Sequence, residues 1–363
     1  MITTLSVNDL HPGMVTASRI FARDEKTQVI RAHTVLTPHL IERLIHHEVQ
    51  SVAIDLSGLL PEDDSPQYSS PAPILDEKIK EEAVVGIRSL FHSVKEGEKT
   101  GNMTTAYQVV KEVDTVVDKL VNTLQEEPNA LVRISDLKSY DEYTYHHSLS
   151  VAVLSIAIGQ SLGLSPDALN KLGRAAMMHD IGKILIPPEI LNKPGRLTDE
   201  EFNIIKTHSE KGYEYLVKAG IGDKEIRLAV RGHHESMDGA GYPQGLSGEN
   251  IPLMSRIMSV ADVYDAVTSY RPYRSPMPPA EAMELVMSKT GISFDYMVVK
   301  SFTDKMEMYP NNTIVELSNG RRGVVVNTEH TMRPVLHMLD TDEHLDLMGL
   351  GNLNLIIVKV LME

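Results

Sequence analysis

The stretch AAMMHDIGKILIPPEILNKPGRLTDEEF, residues 175–202, decides how the rest of the chain is read. Ser165-Pro166 opens a helix by its capping chemistry, and the run Leu172–Met178 is too apolar to lie on a surface. The pair His179-Asp180 therefore ends a buried helix. Working outward, HHSLSVAVLS (146–155) puts His147 one turn before Val151 on a stripe continued by Leu154 and Ile158. Downstream, His208 follows Ile204 and Ile205 by one turn, and His233 lies on the stripe of Ile226, Ala229 and Val230, beside His234. Asp262 closes the set. A single inward histidine is more often a hydrogen-bonded core residue, and a single His-Asp pair occurs by chance. A whole set converging on apolar helix faces needs something to satisfy it. Imidazole and carboxylate donors suit borderline divalent metals such as iron, manganese or zinc. The chain has no cysteine, so thiolate zinc sites and iron–sulfur clusters are excluded. Seven donors exceed one tetrahedral ion and suit two ions sharing a carboxylate.

The remaining segments place this stretch in a larger architecture. Thr198 and Glu201 form a capping box for the helix carrying His208, and Asp223 caps the one leading to His233. Gly239, Gly241, Pro243, Gly245 and Gly248 enforce a loop; no strand precedes it and the Walker pattern is absent, so P-loop and Rossmann readings fail. There is no GxSxG elbow. Residues 1–60 read as a small α/β or β module: strands at Thr27–Ile30 and Val52–Ile54, and a helix capped by Thr37 with Pro38 at its first position. His33, His39, His46 and His47 have no carboxylate companions and read as surface residues. Residues 61–75 read as a linker rich in Pro, Ser and Asp, and 76–130 as two connector helices (Asp76–Phe91 and Met103–Leu124) parted by Gly97 and Gly101. The Val stripe of the second (Val109, Val113, Val116, Val117, Leu120) reads as a packing seam, with a bundle or dimer surface as its use. After residue 308, four strand-like runs and the turn signal Asn319-Gly320 predict a small β appendage, with an SH3-like barrel as one form; His330, His337 and His344 read as structural. The fold class is thus multidomain and mainly α, with an all-α central domain and small modules at both ends.

Three quoted runs carry a family likeness: HHSLSVAVLS, the opening stretch, and HHESMDGAGYPQGLSGENIPLMSRIMSVADVYDAVTSYRPYR (233–274). Over roughly Leu131–Phe302 the chain resembles the HD-GYP proteins, the HD-domain metallohydrolases known for cyclic di-GMP phosphodiesterase activity. The resemblance implies an HD-type helical domain over 131–308. It assigns His147, His179, Asp180 and Asp262 to one metal, and His208, His233 and His234 to a second, with Asp180 bridging; iron or manganese is the expected metal. It implies hydrolysis to linear pGpG, and slowly to GMP, by a hydroxide bridging the metals. Asp180 and Lys183 take the catalytic roles, Lys183 reaching a phosphate oxygen or the leaving group. Lys183, Tyr242, Arg271 and Arg274 take substrate roles, the arginines as forked phosphate donors. Asp265, three residues after Asp262, is placed to orient a ligand. Relatives of the three-metal type carry glutamate four residues before the first histidine; here that residue is Tyr143, with Glu142 one place earlier, so two metals are expected. The segment 1–60 resembles the module often fused ahead of HD-GYP domains, which implies a regulatory or dimerising role. Two rivals stay open: another HD-type nucleotide phosphohydrolase, and a cyclic di-GMP sensor or adaptor with weak catalysis.

Composition bounds the partners. A formal net charge of −15 over 363 residues repels polynucleotides at long range, while a small dianionic nucleotide needs only a local cationic pocket. No apolar run is long enough to span a bilayer and the start lacks signal-peptide character, so the cytoplasm is the expected compartment. A homodimer mate or a signalling protein is the expected macromolecular partner.

Overall fold

The computed structural model describes the chain except for residues 1, 8–9, 11, 18, 22–27, 48, 50, 56–73, 102–103, 127–130, 134–136, 138–142, 222, 270–275, 329–331, 342 and 363. Two compact units result, Met1–Tyr68 and Ser69–Met362. The segment 61–73 of the expected linker lies outside the described residues.

The first unit contains β1 (Ile2–Ser6), β2 (Val15–Thr16), β3 (Ile20–Phe21), β4 (Gln28–Ile30), α1 (Pro38–His46) and β5 (Ser51–Asp55). β5 runs antiparallel between β1 and β2, in a register that pairs Ile2 with Asp55 and Ser6 with Ser51. β3 and β4 pair with each other. Thr37 caps α1 by accepting the Leu40 N–H, and Pro38 fits the first turn, where its missing N–H costs nothing. Leu44 is the side chain α1 buries, and His39 and His46 are exposed, as the sequence predicts.

The second unit opens with α2 (Glu77–Thr100) and α3 (Thr104–Glu126), which pack against each other. α2 runs nine residues past the expected end at Phe91. Gly97 does not break it: a glycine weakens a helix interior by only about 1 kcal/mol, and Gly97 is buried within the packed helix. Gly101, at φ 71, makes the left-handed cap. The site-bearing helices follow: α4 (Tyr143–Ser161), α5 (Pro166–Met178), a 3-10 turn (Ile181–Leu185), α6 (Pro188–Leu191), α7 (Asp199–Lys206), α8 (His208–Lys218), α9 (Lys224–Gly232), α10 (Leu253–Thr268), α11 (Pro279–Ser288) and α12 (Tyr296–Thr303). Ser165 caps α5, Asp223 caps α9, and Thr198 with Glu201 completes the capping box on α7. α4 is buried nearly all round rather than along one stripe, from Leu149 through Ile158, because α2, α3, α5, α10 and α12 surround it. Arg256 of α10 reaches the Asp295 carboxylate (2.6 Å), which also accepts the Met297 and Val298 N–H groups at the start of α12, tying α10 to α12.

The helix expected to run through His208 is two. α7 stops at Lys206, Thr207 intervenes, and α8 begins at His208. Ile204 is 37% exposed, so His208 is not buried by that stripe; the change of helix turns it inward.

The chain ends in β6 (Ile314–Leu317), β7 (Arg322–Asn327), β8 (Val335–Met338), β9 (His344–Asp346) and β10 (Ile357–Met362). These form one antiparallel sheet of order β10-β6-β7-β8-β9. Among the described residues it is an open sheet with β9 and β10 at its edges, and no strand pairing closes it into a barrel. β9 was not anticipated, and β10 starts two residues later than Leu355. Val315, Leu317, Val325, Leu336 and Met338 bury into the same core as Leu120, Val153 and Phe302. No helix among the described residues is long and apolar enough to cross a membrane.

Candidate metal centre

Three of the histidines sit just past a helix C-terminus, where the last carbonyls have no intrahelical partner. His179 follows α5 and its Nδ1 lies 2.7 Å from the Ala176 carbonyl. His208 follows α7, with Nδ1 2.8 Å from the Ile205 carbonyl; His233 follows α9, with Nδ1 2.6 Å from the Val230 carbonyl. A carbonyl only accepts, so each Nδ1 carries a proton and each ring turns its Nε2 inward, where that nitrogen offers a lone pair whenever it is unprotonated. The C-terminal ends of α5 and α9 also carry partial negative charge, which favours a cation at His179 and His233.

The lone pairs converge. His208 Nε2 and His233 Nε2 are 3.3 Å apart, a repulsive arrangement for two acceptors unless a cation lies against both. His208, His233 and His234 form one group whose donor atoms all lie within 4.8 Å of one another; His147, His179 and Asp262 form a second, and His179, Asp180 and His233 a third that joins them. Asp180 stands at the junction: Oδ2 is 3.3 Å from His179 Nε2 and 3.7 Å from His147 Nε2, and Oδ1 is 3.5 Å from His208 Nε2. Yet, among the described residues, His179 Nε2 and Asp180 Oδ1 are buried without a hydrogen-bond partner. Orphaned donors of a hard-to-borderline type, aimed at common points, fit divalent metal ions.

His147 is held differently. Its Nδ1 donates to Asp265 Oδ2 at 2.7 Å, and Asp265, wholly buried on α10, also accepts from Ser269 Oγ at 3.2 Å. The orienting role read for Asp265 thus has a geometric basis. His147 Nε2 faces Asp262 Oδ1 at 3.2 Å, and Asp262 Oδ2 lies 3.8 Å from His234 Nδ1.

Electrostatics sorts the rings. Burial holds His233 well below the usual imidazole range, helped by the neighbouring histidines, and pushes His234 down to about 3. His208 is lowered by burial as well. Burial also opposes a proton on His147, but the hydrogen bonds to Asp262 and Asp265 outweigh it and raise that ring to about 9. Burial would raise Asp180, yet His179 and Lys183 hold its carboxyl well below the usual range; His147 does the same for Asp262. The Lys183 ammonium lies 2.5 Å from Asp180 Oδ2, with its side chain 31% exposed.

The glycine-dense loop closes one side. Glu235, 3% exposed, accepts the backbone N–H groups of Gln244 (2.8 Å) and Leu246 (2.9 Å), and the Tyr242 N–H donates to the His234 carbonyl. A Cβ on Gly241 would lie 2.4 Å from the Ser236 nitrogen, so the glycine there serves the loop's own packing. The Tyr242 ring is thereby laid on His234, centroids 4.7 Å apart and planes 32° apart. Burial raises its phenol. Sequence reading missed Glu235 and Gly182. The available signals were a carboxylate directly after two histidines and a glycine two places after His-Asp. Arg271, Arg274 and Glu142 lie outside the described residues, as does the Tyr143 side chain.

A helical fold that gathers a His-Asp pair with further histidines and an aspartate defines an HD-type domain, and the HD domain family matches residues 122–298. The chain is 36% identical over 306 residues to a cyclic di-GMP phosphodiesterase of Pseudomonas aeruginosa, covering 79% of this chain and 72% of that protein. It is 40% identical over 163 residues to a cyclic di-GMP phosphodiesterase of Thermotoga maritima (45% of this chain, 44% of that one). It is 38% identical over 187 residues to 3'3'-cGAMP-specific phosphodiesterase 1 of Vibrio cholerae (51% and 43%). The chain belongs to the HD-domain family.

Proposed function

We propose that this protein is a metal-dependent phosphodiesterase that opens cyclic di-GMP to linear pGpG. The observation that carries the reading is the convergence of bare imidazole lone pairs and buried carboxylates, two of their atoms orphaned, in a chain matched over most of its length to a cyclic di-GMP phosphodiesterase. His147, His179, Asp180 and Asp262 would hold one ion and His208, His233 and His234 the other, with Asp180 shared. Iron- or manganese-like ions suit this thiolate-free donor set. Bound there, a metal pair supplies an activated water and neutralises charge on the phosphoryl oxygens.

The chain's own residues do the rest. The backbone carbonyls of Ala176, Ile205 and Val230 fix the ring tautomers, and Asp265 fixes His147. Lys183 neutralises Asp180 at rest and, being partly exposed, swings its ammonium to a phosphate oxygen or the departing 3′ oxygen. Tyr242 walls the pocket by laying its ring on His234. Arg271 and Arg274 grip phosphate with forked donors. The first cut needs one diester over the donors; the second needs the flexible linear product to rebind with extra charge, so pGpG accumulates before GMP.

The test is metal analysis of the purified protein with chromatography of the products from cyclic di-GMP. The expected result is a pair of iron- or manganese-like ions per chain and early pGpG, with Asp180→Ala losing both metal and turnover. Normal turnover in a folded, metal-depleted Asp180→Ala protein refutes the site. Rapid GMP without pGpG refutes the product.

A further inference from the structure

Among the described residues, the rim of the metal centre carries a cation that no carboxylate claims. Lys206 ends α7, and its Nζ lies 4.7 Å from the Phe202 ring centroid and 5.7 Å from the Tyr242 centroid. Two other ammonium groups of this region are paired with carboxylates, Lys183 with Asp180 at 2.5 Å and Lys193 with Glu201 at 2.6 Å, while Lys211 donates to the Leu185 carbonyl at 3.0 Å. Among the described residues, Lys206 has two aromatic faces and no acidic partner. Phe202 sits four residues before Lys206, so the helix stacks the two side chains on one face. Its ring is 46% exposed, an unusual state for a phenylalanine beside a buried polar site. The series Phe202, Lys206, Tyr242, His234 thus runs from solvent into the donor cluster.

We propose that Lys206 and Phe202 form a recognition edge for cyclic dinucleotides, a reading that rests on the phosphodiesterase function above. A cyclic dinucleotide has two phosphates and two bases. When one phosphate lies over the metal donors, the other needs a counter-charge that the donors do not provide, and a net charge of −15 makes a local cation in addition to the forked donors of Arg271 and Arg274 the more necessary. Lys206 supplies that charge, held by the two rings at little cost in desolvation. Phe202 offers its open face to a purine. A diester with one phosphate and no base uses neither residue, so the pair sets substrate preference and not the bond-breaking step.

The test compares parent, Lys206→Gln, Lys206→Arg and Phe202→Ala proteins, each checked for metal content, with kcat and KM measured on cyclic di-GMP and on bis(p-nitrophenyl) phosphate. Loss of one charge-assisted contact corresponds to about a tenfold rise in KM for cyclic di-GMP in Lys206→Gln. Loss of one stacked base corresponds to about a fivefold or greater rise in Phe202→Ala. The preference for cyclic di-GMP over the simple diester falls by the same factors, kcat and metal content hold, and Lys206→Arg recovers most of the loss. An equal loss on both substrates, or a fall in kcat at constant KM, is what a structural lysine would give and overturns the proposal. If the metal-loaded parent cleaves neither compound, the phosphodiesterase reading fails. Equilibrium binding of methylanthraniloyl-labelled cyclic di-GMP then decides the edge: about tenfold weaker binding by Lys206→Gln supports it, and equal binding overturns it.

Discussion

Gly182→Ala tests whether the geometry of the centre depends on one close backbone crossing. The 3-10 turn Ile181–Leu185 meets α8 at Gly182. A Cβ there would stand 1.9 Å from the His208 carbonyl oxygen, 2.6 Å from the Gly212 nitrogen and 2.9 Å from the His208 carbonyl carbon. All three are backbone atoms, so no side-chain rotation relieves the overlap. Restoring even the shortest contact a real Cβ makes, 3.0 Å, separates the turn from α8 by about 1.1 Å. Overpacking of this kind costs about 1–3 kcal/mol, and the upper end applies where backbone must move. The same shift carries His208 Nε2 away from Asp180 Oδ1 (3.5 Å) and His233 Nε2 (3.3 Å). Metal–ligand distances tolerate about 0.2 Å, so a displacement near 1 Å removes His208 as a ligand. The expected outcome is a melting temperature lower by several degrees and metal affinity and turnover lower by about a hundredfold. Gly212→Ala is the control: its Cβ would meet the Gly182 nitrogen at 3.3 Å and two side chains at 3.4–3.5 Å, so the expected cost is below about 1 kcal/mol with metal retained. Elemental analysis and thermal melts of the two variants read the contrast. A Gly182→Ala protein with full metal content and the parent melting temperature refutes the reasoning.

Other substitutions probe the supports around the centre. Asp265→Ala removes the acceptor that fixes the His147 ring, and metal affinity should fall about 10–100-fold with helicity retained; unchanged affinity in a metal titration contradicts this. Glu235→Ala strands the Gln244 and Leu246 amides, costing about 2–4 kcal/mol and raising hydrogen exchange over 238–246. Protection equal to the parent's would count against Glu235 as the loop's anchor. Arg271→Ala should weaken cyclic di-GMP binding about tenfold or more with metal content intact, since a guanidinium binds phosphate and never a cation. Loss of metal in that variant would show the residue to be misplaced.

The sequence by itself determined the parts that depend on neighbouring residues. Capping chemistry fixed the starts of α1, α5, α7 and α9, because an N-cap oxygen and its amide lie within three residues of each other. The residues that could hold a metal were also legible as a set, since burying so many imidazoles and carboxylates needs compensation whatever their arrangement. Tertiary structure alone decided what links residues far apart in the chain. Asp265 reaches His147 across 118 positions, and His208 meets His233 across 25. Gly182 could not be read as a crossing point until α8 was laid over it. Gly97, by local propensity a break, became helix because packing of α2 outweighs a penalty of about 1 kcal/mol. The inward turn of His208 came from a helix boundary at Thr207 that periodicity does not mark. The lysine on the rim has the same origin: Lys206 reads as a solvated charge until the fold sets Tyr242 beside it and, among the described residues, leaves it without an acid, and only the three-dimensional path of the chain specifies that.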